Sequence, residues 1–254
     1  MKEKLYTIPL NDAVNEQDEC PFCFIERKLE NDMLDFVLGS SSSYMESDIR
    51  EQTDKAGFCK IHTKKMFDYG NTLGNSLILK THYQRLRKEM SAQFKNFTPG
   101  KSSFLGKFRK STDEADKNPI HAWAETKDCS CYICSGVQDT FDRYIETFFY
   151  LNRNDPAFKE KIHNGKGFCL HHFGILCGSA DRYLKDKEKA EFYPALFAVM
   201  ERNFERIEED IVWLIDKFDY RNKDADWKNS KDALQRGMQK LRSGYPADPV
   251  HKAK

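Results

Sequence analysis

The chain has 254 residues, with 41 basic and 40 acidic side chains and a net charge of +1. Its hydrophobic fraction of 39% and aromatic fraction of 13% supply a core, which excludes global disorder. The near-zero balance excludes a polycation built to hold nucleic acid, and the lack of any apolar run near ~18 residues excludes a transmembrane helix.

In chain order, residues 1–19 read as an extended or irregular arm. The start, MKEKLYTIPLND, lacks the apolar stretch of a secretory signal, so a cytoplasmic location is expected. Residues 20–97 read as a first helical repeat, which with the arm makes a segment 1–97. An apolar stripe runs through Ile25, Leu29, Met33 and Phe36. A short helix is expected near 46–56. A long helix follows whose face is Leu79, Tyr83, Leu86, Met90 and Phe94. Residues 98–119 are rich in Lys, Ser, Gly and Asp and read as a linker or mobile loop. Residues 120–222 repeat the plan, with stripes at Val137, Phe141, Tyr144, Phe148, Leu151 and at Phe197, Met200, Phe204, Ile207, Ile211, Leu214, Phe218. Residues 223–254 form a tail with one helix near 229–242, ended by Gly244, Pro246 and Pro249. No segment alternates with a period of two. The expected fold is all-α, two pseudo-repeated helical units in one bundle-like domain.

The cysteines carry the chemistry. A cytosolic chain does not need its 8 Cys for structural disulfides. Six of them, with two histidines, form one pattern used twice. Cys20-Pro-Phe-Cys23 is followed by Gly57-Phe-Cys59-Lys-Ile-His62. Cys131-Tyr-Ile-Cys134 is followed by Gly167-Phe-Cys169-Leu-His-His172. The offset is 111 residues at the first cysteine and 110 at the third, as an internal duplication leaves it. Two ligands at i and i+3 point at one centre. A CxxC and a CxxH together supply three sulfurs and one imidazole, a complete tetrahedral set for zinc. The spacing therefore predicts two zinc ions, each pinning one repeat through Cys20, Cys23, Cys59 and His62 or through Cys131, Cys134, Cys169 and His172. Arg27, Lys60 and Lys166 are candidates to offset the negative charge of such sites. An iron–sulfur cluster is the rival, since CxxC pairs hold clusters too. Thiol redox chemistry at CPFC is a further alternative, but no βαβ framework accompanies it. Buried thiols and core histidines would be the plain structural alternative.

Other residues carry weaker signals. Cys129 and Cys177 lie outside the repeat, though either stands close enough in sequence to aid a site. His171 occupies the place of Ile61, and the repeat favours its neighbour His172 as ligand. His82, His121 and His163 belong to no motif. Glu26 with Glu30, and Asp139 with Asp142, are candidates for extra metal ligands of a bundle site, but read rather as wet helix faces. Lys101, Lys107, Arg109 and Lys110, followed by Asp113, Glu114 and Asp116, read as a self-neutralising linker rather than a phosphate loop. The segment 218–234, with Tyr220, Arg221 and Trp227, is either a recognition surface or a helix exit that packs back. There is no P-loop, GxGxxG, HExxH or GxSxG, so no catalytic residue is assigned.

The duplicated CPxC…GFCxxH arrangement, with FDRYIETFFYL after the second CxxC and FDYRNKDADWKNSKDAL near the end, resembles an uncharacterised bacterial family known as a domain of unknown function. The resemblance spans about residues 3–240. It implies a cytoplasmic bacterial protein with the eight Cys and His positions above, and it brings no activity, substrate or established metal. The resulting expectation is a zinc-stabilised, non-enzymatic binding or adaptor module. Its partner would be an unidentified protein or small molecule, with neither nucleic acid nor membrane. The alternatives are an iron–sulfur redox protein or enzyme, and a thiol-based metal sensor or carrier.

Overall fold

The computed structural model describes residues 5–16, 18–40, 43–99 and 118–253. Among these residues it is all-α, with eleven α-helices and no strand. The helices are α1 Thr7–Asn15, α2 Pro21–Leu38, α3 Ser47–Ala56, α4 Lys60–Tyr69, α5 Thr72–Asn96, α6 Pro119–Cys129, α7 Tyr132–Asn154, α8 Pro156–Asn164, α9 Leu170–Tyr183, α10 Asp186–Asp216 and α11 Ala233–Arg242. The basic stretch at Lys101, Lys107, Arg109 and Lys110, and most of the expected linker, lie outside the described residues.

The helix order shows the repeat. Helices α1–α5 have 9, 18, 10, 10 and 25 residues; α6–α10 have 11, 23, 9, 14 and 31. Each set places a short helix before the CxxC, which begins its second helix, and starts its fourth helix at the CxxH. Local sequence explains the boundaries. Asn118 and Asp155 cap α6 and α8, each followed by Pro at the first helical position. Asn71 caps α5 through Gly74 N at 2.8 Å. Gly70, at φ +90°, separates α4 from α5. One expectation fails at the start: the arm 1–19 contains α1, whose Leu10 and Ala13 are buried.

Two compact units divide the chain differently from the repeats. Unit 1 is Met1–Glu30 with Val137–Pro249; unit 2 is Asn31–Gly136 with Val250–Lys254. Helices α2 and α7 therefore each begin in one unit and end in the other.

Unit 1 has an aromatic core. Phe22 stacks on Phe168 and meets Phe141 and Phe148 edge-on or tilted, at centroid distances of 5.4–5.6 Å. Phe148 also meets Phe149, Phe158 and Phe192. The α7 stripe is borne out: Phe141, Tyr144, Phe148 and Leu151 are all buried. Of the α10 stripe, Met200 and Ile207 are buried while Phe197 and Phe218 are exposed. Helix α11 lies against α10 and α9. A side chain at Gly237 would come within 2.8 Å of Ile211 Cδ1, so glycine permits that close approach.

Unit 2 has a smaller core of Leu34, Val37, Leu38, Met66, Tyr69, Ile78, Cys131 and Ile133. Two stripes shift here. In α2 the structure buries Leu34, Val37 and Leu38 and exposes Phe36. In α5 it buries Gly74 and Ile78, one turn apart, and exposes Leu79, Tyr83 and Phe94. Helix α5 lies against α3 and α4 through that narrow face, so most of its apolar residues are not called on. The C-terminal residues close this core. Ala253 N donates to Tyr69 O at 2.9 Å, and Asp35 Oδ1 meets both Tyr69 Oη and His251 Nε2 at 2.8 Å.

Burial, then Asp35, pushes the Tyr69 phenol up to about 12. The unfolded value is about 10, so the folded state holds this proton more tightly. The resulting stability is complete below pH ~10 and is lost as pH rises through ~12. The stability difference between the parent and Tyr69→Phe should follow that course in urea melts. A difference constant across that range would contradict it.

Candidate metal centres

All four cysteine motifs begin a helix. Cys59 and Cys169 are the N-cap residues of α4 and α9; Cys20 and Cys131 immediately precede α2 and α7. The second ligand sits one turn in. Backbone bonds from Phe24 N, Thr63 N, Ser135 N and Phe173 N return to Cys20 O, Cys59 O, Cys131 O and Cys169 O. The positive end of each helix dipole thus faces a thiol, which favours the thiolate. Gly57 and Gly167 turn the chain into the CxxH motifs at φ +66° and +73°. A side chain at Gly57 would meet His82 Cε1 at 3.0 Å, and one at Gly167 would meet Val199 Cγ1 at 3.1 Å.

The eight residues gather into two groups, but the pairing is crossed. Cys20 and Cys23 meet Cys169 and His172; Cys131 and Cys134 meet Cys59 and His62. The expectation that each repeat's CxxC joins its own CxxH is therefore corrected. The first group lies in unit 1 and the second in unit 2. The cause is packing. Phe22, inside the first CxxC, joins the aromatic core of unit 1, whereas its counterpart Ile133 is buried in unit 2. A spacer of 35 or 34 residues between the half-sites imposes no choice of its own.

In the first centre, His172 Nδ1 stands 3.4, 3.6 and 3.2 Å from the sulfurs of Cys20, Cys23 and Cys169. In the second, His62 Nδ1 stands 3.3 Å from the sulfurs of Cys59, Cys131 and Cys134, and Cys59 Sγ is 3.8 Å from Cys134 Sγ. A tetrahedral ion with sulfur at ~2.3 Å and nitrogen at ~2.0 Å puts its ligands about 3.5 Å apart for S···N and about 3.8 Å for S···S. The S···N edges of both groups and the Cys59–Cys134 edge of the second agree with those lengths to within about 0.3 Å.

The electrostatics fit a shared centre. Hydrogen bonds from Cys20 and Cys23, followed by His172, hold the Cys169 thiol far below its usual range despite burial. Burial, then the thiols of Cys169 and Cys23, pushes Cys20 well above it. Burial lowers His172, but Cys169, Cys23 and Glu26 overcome this and raise it to about 11. In the second centre, burial opposes ionisation of Cys131, yet His62 and backbone N–H groups bring it down to about 6. Burial and Cys131 push Cys134 up to about 12. Each group thus shares protons among donors that a cation would replace.

The surroundings differ. His172 is fully buried, with Phe22 and Phe141 rings packed near its imidazole, and its Nε2 lies 3.2 Å from Glu26 Oε2. A carboxylate there orients the ring so that Nδ1 faces the sulfurs. Three thiolates and a neutral imidazole leave a divalent ion at net charge −1. Lys240 of α11, 1% exposed, stands nearby. Its Nζ donates to Glu19 O at 2.6 Å and to Lys166 O, and lies 3.4 Å from Glu19 Oε2. Glu19 itself is buried and receives Arg206 Nη2 at 2.5 Å, with Arg236 Nη1 at 3.6 Å. Gln239 Nε2 reaches Asp18 Oδ1 at 2.5 Å. Helix α11 so ties down the residues leading into Cys20 and those leading into Cys169. Lys240→Met should destabilise unit 1 by about 3 kcal/mol in urea unfolding, because Glu19 and two carbonyls lose a buried cation. A change under about 0.5 kcal/mol would contradict that role.

Sequence reasoning did not find Asp18, Glu19, Gln239 or Lys240, which carry no local motif. Arg27 does not serve as a cation for the sulfurs; it pairs with Asp18 at 2.8 Å and Asp248 at 3.0 Å. Glu26, read as part of a wet helix face, is the carboxylate on His172. His171 is exposed, its ring tilted at 59° to that of His172 with centroids 5.1 Å apart, and it forms a third group with His172 and Glu26. Cys129 is exposed and Cys177 half-buried, and neither joins a centre. His82 Nδ1 bonds with Asp54 O at 2.9 Å. His121 is exposed, and burial, then Lys159 and Arg202, lowers His163. Asp142 accepts from Gln138 Nε2. The 218–234 segment is mostly exposed, with Ser230 and Ala233 buried and Phe218, Tyr220 and Trp227 exposed; Lys217 Nζ, just before it, donates to Asn222 O, Lys223 O and Ala225 O and sits over the Trp227 ring. No helix among the described residues is long and apolar enough to cross a membrane.

The chain is 21% identical over 208 residues to "Uncharacterized 23.9 kDa protein in xynA 3'region" of Caldicellulosiruptor sp. (strain Rt8B.4), covering 82% of this chain and 86% of that protein. No solved structure matches. A family model described as "Family of unknown function (DUF6062)" matches residues 1–248, and the chain belongs to that family.

Proposed function

We propose that this protein binds two zinc ions, one in each centre, and works as a zinc-stabilised, non-enzymatic binding module. The observation that carries the reading is the pair of four-donor groups, each with all ligand atoms within 4.8 Å of one another. Such spacing suits one ion per group. A polynuclear iron–sulfur cluster spreads its ligands over two or more irons, so the same spacing weighs against that alternative. Four protein donors fill a tetrahedron and leave no position for substrate, as in structural zinc sites.

The binding surface we assign is a cleft of about 1100 Å³ in unit 1. It is bounded by Phe24 and Arg27 of α2, Arg202 of α10, and Lys228, Asn229 and Lys231 of the 218–234 segment. Its walls are mainly charged and polar, with Phe24 and Ile162 among the apolar groups, which suits a polar or charged ligand.

Elemental analysis and an absorption spectrum, on protein purified without oxygen, test the metal. Two zinc per chain and no visible band is the expected result. Iron with sulfide and absorption near 400 nm would replace this reading with a redox one.

A further inference from the structure

The two centres differ in what stands between their sulfurs and water. In the first, Cys20, Cys23, Cys169 and His172 are all buried. Removing a ligand there requires the packed interior of unit 1 to open, and α11 ties down its approaches by bonds from Lys240 to Glu19 O and Lys166 O and from Gln239 to Asp18. The second presents an edge: Cys134 is exposed and Cys59 half-buried, while His62 and Cys131 are covered. The bonds that hold its two halves together join residues near the ligands in the chain and do not involve Cys134. Tyr132 N donates to Gly57 O at 2.9 Å, and Ser130 Oγ donates to Ala56 O at 2.6 Å. These bonds can persist while Cys134 swings away. Exchange that needs only a side-chain rotation proceeds from the low end of the opening scale; exchange that needs a packed interior to open approaches global unfolding.

Resting on the zinc reading above, we infer that the second centre is an exchangeable metal site, which passes its ion to and takes it from external thiolate donors at the Cys134–Cys59 edge, while the first centre keeps its ion as long as unit 1 is folded. The step is a ligand substitution. An incoming thiolate sulfur binds the ion as the Cys134 sulfur leaves it, a second replaces Cys59, and further donors then take the places of Cys131 and His62 as these release the ion. Charge is conserved and no electron is transferred. The class of partner this implies is a thiolate-rich soft-metal carrier or chelator.

The full-length chain carrying two zinc ions is the test material, in a Cys129→Ser background that removes an exposed cysteine outside both centres. Zinc release to a dithiol chelator is followed while iodoacetamide labelling is mapped by peptide mass spectrometry. In that labelling the sulfur attacks the methylene carbon, an S–C bond forms and iodide departs. The expected result is two release phases differing by at least about ten-fold. Labelling of Cys134 and then Cys59 should accompany the fast one, and Cys20, Cys23 and Cys169 should stay protected. Cys134→Ser should abolish the fast phase and leave the slow one. Release of both ions in one phase, or early labelling at Cys20, Cys23 or Cys169, overturns the inference while leaving the zinc reading intact. A chain that holds no zinc before chelator is added fails the zinc reading instead, and the inference with it.

Discussion

Cys169→Ser should unfold unit 1 rather than merely loosen it. Cys169 is both a donor of the first centre and the N-cap of α9, and its sulfur lies 3.2 Å from His172 Nδ1. Structural zinc sites contribute apparent binding energies of about 10–16 kcal/mol at neutral pH. Whole domains are stable by only about 5–15 kcal/mol. Loss of one donor also leaves Cys20, Cys23 and His172 buried around an incomplete set, with Glu26 still on the imidazole. The expected outcome is loss of the near-ultraviolet circular dichroism of unit 1 and loss of one zinc. A variant that keeps a cooperative melt within about 2 kcal/mol of the parent would show that the aromatic core alone supports this unit.

Phe148→Ala should have the next largest effect, about 3–5 kcal/mol. Phe148 is 1% exposed and its ring lies within 5.4–6.5 Å of Phe22, Phe149, Phe158, Phe168 and Phe192. Truncation opens a cavity at the junction of α2, α7, α8, α10 and the turn before Cys169. Phe22 and Phe168 each adjoin a ligand cysteine in the chain, so the loss should also speed zinc release from the first centre. Urea unfolding of the zinc-loaded protein measures the first effect and chelator kinetics the second. A loss below about 1.5 kcal/mol would mean that the neighbouring rings collapse into the gap.

Much of this was legible in the sequence. The duplicated spacing picked out the eight residues of the two Cys/His groups, and the three-and-four periodicity of α7 marked its buried face. The pairing was not legible, because CxxC and CxxH fit each other equally well within or across repeats. What separates the two is a tertiary preference of Phe22 for the aromatic rings of unit 1, and no local pattern records that. The same limit explains α5, where Leu79, Tyr83 and Phe94 look like a core face by period but the packed side is Gly74 and Ile78. Helix α1 lay in a segment too polar at its flanks to read as a helix, and its Leu10 and Ala13 are buried by tertiary packing. Glu19 and Lys240 are 221 residues apart in sequence, and a single charged residue in a charged chain gives no sign of burial.

Zinc counting on two double variants tests the crossed pairing most directly. Cys20→Ser with Cys169→Ser strikes two donors of the same centre, whereas Cys20→Ser with Cys59→Ser strikes one donor of each. The first variant should retain one zinc, held by Cys59, His62, Cys131 and Cys134, and the second should lose stoichiometric binding at both centres. The reverse result, one zinc kept by Cys20→Ser with Cys59→Ser and none by Cys20→Ser with Cys169→Ser, would mean that each repeat closes on its own ion and would contradict the crossed centres.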